Sequence, residues 1–492
     1  MSFLRSIMFV GTCSDAGKSI VNTAFCRIFK QDGYHPAPFK AQNMSLNSYS
    51  TPDGLEIGRA QAVQAEACGI APESDMNPVL LKPTNEQCSQ VVLNGKPVGN
   101  MSAKEYFMSN NKAELFNQAY AAYERLQARY SPIVLEGAGS ISEINLRERD
   151  ITNMRMALRT NAATYLVADI DRGGVFASVY GSIALLSEEE RKLIKGIIIN
   201  KFRGDISLFD EGRKIIHDLT GIPVVGVIPY FKDIYIEEED SVSLETKNTK
   251  AGSGKINVAI VLLKRLSNFT DFSVLERDER FHAYYTNNVE EIGKADIIIL
   301  PGTKNTISDL RNIRENGIAE AVIRAHKEGK KVIGICGGYQ MMGARIEDPD
   351  QIEGDMTAIP GLGILPLVTT MEPEKVTCQD QFTFCDHPET CKGYEIHMGR
   401  TTLLDGASES PLNRLHDGRT DGYFLNDKCW GTYLHGILDN DVVLNELAEG
   451  LTQATPTLFN YIDFKNQQYD KLADHVRTHV DLPYIYSTLK IK

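Results

Sequence analysis

Short, wholly apolar runs separated by helical or polar stretches dominate the first half of the chain. Residues 7–10, 133–135, 165–168, 196–199 and 224–228 are too short for helices and rich in β-branched side chains, so they predict buried strands. Buried strands alternating with helices predict a parallel sheet with crossover connections. The pattern stops near residue 235. Residues 236–255 are rich in Asp, Glu, Ser, Thr and Gly, which predicts a linker. A second alternation follows: strands over 257–262 and 297–300, a helix over 318–327 and a strand over 331–335. The chain therefore reads as two α/β domains, over 1–235 and 256–445, joined by a linker over 236–255 and followed by a helical tail over 446–492.

Composition narrows the class. At 492 residues the chain exceeds what one core organises, and 42% hydrophobic with 24% charged residues suits a globular protein. A net charge of −13 opposes general attraction to nucleic acid or anionic membrane. No apolar run reaches spanning length, and the N-terminus lacks the basic and apolar segments of a secretory signal, so the expected location is the cytoplasm. Nine cysteines without regular spacing suit reduced thiols there. Cys378, Cys385, His387, Cys391 and His397 fall close together, but no CxxC pair is present and no common zinc spacing is matched, so loop thiols are expected instead.

Gly11-Thr-Cys-Ser-Asp-Ala-Gly17-Lys18-Ser19 lies between a predicted strand and a predicted helix. Five residues separate Gly11 from the Gly-Lys pair, one more than the usual phosphate loop has. The chemistry tolerates the extra residue. Backbone N–H groups and the helix N-terminus cradle phosphate, Lys18 reaches the terminal phosphates and Ser19 is a magnesium ligand. Asp15 and Asn200 complete the expected nucleotide-binding set. At strand ends, where ligands of open α/β sheets collect, Glu136 is the expected acidic magnesium ligand; Asp169 and Asp171 are the alternative, or cap the next helix.

Gly334-Ile-Cys336-Gly337-Gly338-Tyr-Gln340 follows an apolar strand and reads as the thiol counterpart of the nucleophile elbow. Flanking glycines permit a strained turn, the helix N-terminus favours a thiolate, and the Gly337 N–H is placed for a developing oxyanion. His435, in Trp-Gly-Thr-Tyr-Leu-His-Gly, is the expected base.

These motifs, with Leu300-Pro-Gly302-Thr-Lys-Asn-Thr ahead of the elbow, resemble the class I, triad-type glutamine amidotransferase domain. The resemblance implies that Gly302 and Gly337 serve the oxyanion, and that Gln340 and the 394–397 stretch, Tyr394 above all, serve the glutamine site. Triad members carry Glu two residues after the histidine; here that position is Ile437. The orienting acid is therefore absent or comes from elsewhere, as in the cobyric acid synthase and cobyrinate diamide synthase branch. Phe39-Lys-Ala-Gln42-Asn43-Met-Ser45-Leu-Asn47-Ser, Met76-Asn-Pro-Val-Leu-Leu-Lys82-Pro and Gly393-Tyr-Glu-Ile-His-Met-Gly-Arg400 resemble the cobyric acid synthase family over nearly the whole chain, and the nucleotide loop resembles that of dethiobiotin synthetase.

That resemblance implies two α/β domains: a P-loop, dethiobiotin-synthetase-like parallel-sheet domain and a glutamine amidotransferase-like domain. It implies ATP and Mg2+ as cofactors, and small-molecule substrates: glutamine, ATP and adenosylcobyrinic acid a,c-diamide, whose b, d, e and g carboxylates become amides through acyl phosphates. Gln42, Asn43, Ser45 and Asn47 are the expected corrin-side loop, with a solvated turn as the alternative. The missing acid implies a slow resting glutaminase. A MinD/ParA-type ATPase shares the phosphate loop but has no use for Cys336 and His435. Cobyrinate a,c-diamide synthase shares both domains, and Gln42-Asn-Met-Ser-Leu-Asn47 favours cobyric acid synthase.

Overall fold

The computed structural model describes residues 3–84, 88–102, 112–237, 244, 247–354, 356–451 and 459–490. The first half forms a six-stranded sheet in the order Val224–Pro229, Ile194–Phe202, Ala163–Asp169, Ile7–Gly11, Ile133–Glu136, Ala37–Phe39, with every neighbouring pair parallel. Successive side chains of a strand point to opposite faces, and both faces here are covered. Met8 and Val10 join one apolar cluster with Leu166 and Ala168; Ile7 and Phe9 join the other with Tyr165 and Val167. The five runs expected as strands are five consecutive strands of this sheet, from the edge strand Val224–Pro229 to Ile133–Glu136. The sixth, Ala37–Phe39, contains Pro38, which has no N–H for a ladder and is accommodated at the sheet edge.

The second half carries its own sheet: Phe281–Thr286, Ile256–Val261, Ile297–Leu300, Lys331–Ile335, Cys429–Thr432 and Tyr423–Asn426, parallel except for the last pair. The polar stretch holding the cysteines, expected as a loop, is instead part of a long hairpin. Leu367–Phe384 pairs antiparallel with Thr390–Leu403; the first strand is buried at alternate positions near each end and half-buried or exposed over 372–381.

Two segments of undefined role tie the halves together. At the start of the linker region, Ile236 is buried, and Glu237 accepts from both Arg59 (2.6 Å) and the Tyr461 hydroxyl (3.0 Å). Linker residues 238–243, 245 and 246 lie outside the described residues. In the tail, of which 452–458 and 491–492 lie outside the described residues, helix Tyr461–His479 returns to the first half. Its Tyr469, Leu472, Ala473 and Val476 enter the core with Phe25 and Ile28 of helix Lys18–Gln31, and Arg27 pairs with Asp470 at 2.7 Å. No helix among the described residues is long and apolar enough to cross a membrane.

Candidate active site

Strand Lys331–Ile335 is wholly buried and runs into Cys336, which holds φ 51° and ψ −110° before helix Gly337–Met342 begins. A non-glycine residue at positive φ costs about 1–3 kcal/mol and persists only where its surroundings impose it. Here they do. A Cβ at Gly338 would overlap the carbonyl of Leu300, and one at Gly337 would lie 2.7 Å from Thr303 Cγ2, so the elbow is wedged against strand Ile297–Leu300 and the loop after it. Gly302 abuts the histidine: a Cβ there would come 3.1 Å from His435 Cε1.

His435 follows strand Cys429–Thr432 and is 1% exposed. Its Nδ1 lies 2.6 Å from Asp271 Oδ2, and Asp271 Oδ1 accepts from the Gly436 N–H at 3.0 Å. The orienting acid therefore comes from elsewhere in the chain, which removes the premise at Ile437 on which a slow resting site was expected. Ile437 is buried in the core at the start of the turn Ile437–Asp439, and Asp271 takes the role from the loop after strand Ile256–Val261. Burial alone would lower the imidazole pKa. The Asp271 carboxylate and the Cys336 sulfur outweigh it, and the ring is pushed up to about 10.

Gln340 lines the cavity beside Cys336. Its Oε1 accepts from Thr306 Oγ1 at 2.9 Å and its Nε2 donates to the Tyr433 hydroxyl at 3.2 Å. Tyr394 is not among the residues lining that cavity. It stacks on the His435 ring with centroids 5.4 Å apart, and the two residues exchange backbone hydrogen bonds of 3.0 and 2.8 Å. Its hydroxyl donates to Ser48 O at 3.4 Å, because the first half of the chain packs behind it.

In the nucleotide loop, Gly17 has φ 90°, and a Cβ there would overlap the Asn200 side-chain amide, which donates to Ala16 O at 2.9 Å. Lys18 Nζ donates to Cys13 O (3.0 Å) and Gly139 O (2.9 Å). Burial, offset in part by the Glu136 charge, holds this ammonium down to about 8. Ser19 Oγ donates to Glu136 Oε1 at 2.8 Å, and Lys40 Nζ reaches the same oxygen at 2.8 Å. A hydroxyl and a carboxylate in contact beside the lysine are a donor set that suits magnesium. Asp15 has φ 56° and pairs with Arg172 at 3.2 Å. Asp169 and Asp171 are engaged elsewhere, by Lys201 (2.9 Å) and Arg203 (2.5 Å), and neither caps the next helix, whose N-cap is Gly174.

Residues 42–49, expected as a polar loop, fall in strands Gln42–Met44 and Ser48–Ser50 and the turn between them. Asn43, Ser45 and Asn47 are buried. Asn43 Nδ2 donates to Gln61 Oε1 at 3.1 Å, and Ser45 Oγ donates to Asn47 O at 3.1 Å. Asn47 Oδ1 accepts from the Phe269 N–H at 3.1 Å, and Ser48 N–H donates to Asn268 Oδ1 at 2.9 Å. A solvated turn is thereby excluded: this segment grips the turn that carries Asp271.

The cysteine cluster does not assemble as a zinc site among the described residues. Cys378 approaches Asp380 (3.0 Å) and Glu395 (3.6 Å), without Cys385, His387 or Cys391. The Arg419 guanidinium already neutralises both acids, at 2.9 and 3.6 Å. Burial and the hydrogen bond to Asp380 push the Cys378 thiol up to about 12, so it stays protonated.

Residues 7–243 match the family model of a CobQ/CobB/MinD/ParA nucleotide binding domain, and residues 257–443 that of a CobB/CobQ-like glutamine amidotransferase domain. The chain is 71% identical over 491 residues to the cobyric acid synthase of Parabacteroides distasonis, with 99% of each chain covered. It is 63% identical over 487 residues to that of Bacteroides fragilis, covering 99% of this chain and 98% of the relative, and 60% identical over 488 residues to that of Phocaeicola vulgatus with the same coverage. This chain belongs to the cobyric acid synthase family.

Proposed function

We propose that the chain catalyses the glutamine-dependent, ATP-driven amidation of the b, d, e and g carboxylates of adenosylcobyrinic acid a,c-diamide. The observation that carries this reading is the union in one chain of a Cys336–His435–Asp271 site with a Lys18 phosphate loop, alongside full-length identity to cobyric acid synthases.

Cys336 attacks the glutamine amide carbon, and the ammonia that leaves takes its proton from His435, which Asp271 holds in the Nδ1–H tautomer. The Gly337 N–H and the Gly302 loop face the oxyanion, and water then releases glutamate from the thioester. Ammonia is kept from bulk water because protonation would remove its nucleophilic lone pair. In the first half, a carboxylate is too poor an electrophile for ammonia, so ATP activates it as an acyl phosphate. Lys18 neutralises the transferring phosphoryl group. Ser19 and Glu136 are the groups that would hold magnesium, which supplies further charge neutralisation there.

The test is to compare nitrogen sources. Cys336→Ala should abolish amidation from glutamine while ammonium salt at alkaline pH still supports it. Loss of both would mean the cysteine is structural.

A further inference from the structure

The space beside Cys336 is about 50 Å³, bordered by Cys336, His435, Gln340, Lys304, Glu353 and Lys375 among others. That holds a few water-sized groups, not an amino acid. A second cavity of about 480 Å³ adjoins it, between Thr84, Cys88 and Gln90 of the first half and helix Thr306–Glu315 of the second. Lys304, Glu353 and Met398 line both, so they form the neck between the two.

Two opposite charges meet at this neck without pairing. Lys82 and Lys375 both bind Glu56, Lys82 at 2.6 Å. Lys304 Nζ, by contrast, has no hydrogen bond or ion pair among the described residues. Glu353 is held by the N-terminal turn of helix Thr306–Glu315, accepting from Ile307 N–H at 3.0 Å and Thr306 Oγ1 at 3.5 Å, and no cation lies within 4.0 Å among the described residues. Neither charge has a counter-ion within 4.0 Å among the described residues, and both line the two cavities.

We propose that Lys304 and Glu353 are the head-group site for glutamine, Lys304 taking the α-carboxylate and Glu353 the α-ammonium while the amide end enters the small cavity at Cys336. The inference rests on the glutaminase reading above and deepens it. A zwitterion carries the two charges this neck is missing. Burial and the nearby Lys375 and Lys82 charges hold the Lys304 ammonium down to about 7, and burial holds the Glu353 carboxyl up to about 7, so a bound zwitterion relieves both. Lys304 follows the Gly302 loop by two residues, which ties head-group binding to the loop that faces the oxyanion.

The experiment uses the full-length enzyme with ATP and corrinoid present, and three amides: glutamine, γ-aminobutyramide (no α-carboxylate) and glutaramate (no α-ammonium). The wild type should prefer glutamine over either analogue by about 10–100-fold in kcat/KM, the range for a hydrogen bond to a charged group. Lys304→Met should lower kcat/KM for glutamine by a similar factor, largely through KM, and leave γ-aminobutyramide nearly unchanged. Glu353→Gln should do the same with glutaramate as the insensitive substrate. A uniform loss on all three amides would make these residues structural and overturn the proposal. Amidation from ammonium salt serves as the folding control. Should a variant fail it, Lys304→Arg and Glu353→Asp take its place: each keeps the charge and should retain the preference for glutamine over the matching analogue, and a uniform loss on all three amides would overturn the site. Retained glutamine hydrolysis in Cys336→Ser would instead refute the glutaminase reading itself.

Discussion

Asp271 Oδ2 lies 2.6 Å from His435 Nδ1, although the two residues are 164 positions apart and occupy different loops of the second sheet. The contact sets the histidine tautomer, leaving Nε2 for chemistry at sulfur, and it stabilises the imidazolium. Asp271→Asn preserves shape but removes charge. It should lower glutamine hydrolysis on the order of a thousand- to ten-thousand-fold, while amidation from ammonium salt persists. Glutamate release gives the answer. A change of less than about tenfold would mean that the carboxylate is not the orienting acid.

The same contact has a pH signature. His435 is raised from 6.5 to about 10, so its protonated form is the one the fold favours. Its contribution to stability is present in full below 6.5 and is lost as the pH climbs towards about 10. The stability advantage of the wild type over His435→Gln should therefore shrink across that window, as followed by urea unfolding. A gap that widened with pH would contradict the charged pair.

Asn47 predicts communication between the halves. Its side chain accepts from the Phe269 N–H, two residues before Asp271. Asn47→Ala leaves that buried donor unpaired, which costs about 1–3 kcal/mol. It should slow glutamine hydrolysis measured without ATP or corrinoid, even though Asn47 belongs to the nucleotide-binding half. An unchanged uncoupled rate would show that the turn carrying Asp271 holds itself.

Lys18→Met should remove amidation from either nitrogen source, because charge on the transferring phosphoryl group goes unneutralised, while basal glutamine hydrolysis survives. Product formation from ammonium salt near the wild-type rate would take the ATP site away from this loop.

How far the sequence carried the structure depended on range. Buried parallel strands announce themselves locally, so five of the six strands of the first sheet, the loop through Gly17-Lys18-Ser19 and the Cys336 elbow were legible from composition and spacing. Asp271 was not: its role depends on the turn 269–272 reaching residue 435 across the two strands that separate Ile256–Val261 from Cys429–Thr432, and the Ile437 position pointed the other way. What signal existed lay in its place after the first strand of the second domain, where sheet ligands collect. The 42–49 segment looked like a polar corrin-side loop, with a solvated turn as the alternative, because its polar side chains are satisfied by partners distant in sequence, Gln61 and Phe269. The hairpin 367–403 was missed because its first strand is half-buried or exposed over 372–381, so its apolar residues are diluted by polar ones.

The most direct test is to incubate the full-length protein with adenosylcobyrinic acid a,c-diamide, ATP, magnesium and glutamine carrying heavy nitrogen in its side-chain amide, and to read the corrinoid by mass spectrometry. The expected result is a product with four new amides, each carrying the label, and none formed without ATP. A corrinoid returned unchanged, or amides lacking the label when glutamine is the sole nitrogen source, would contradict the account.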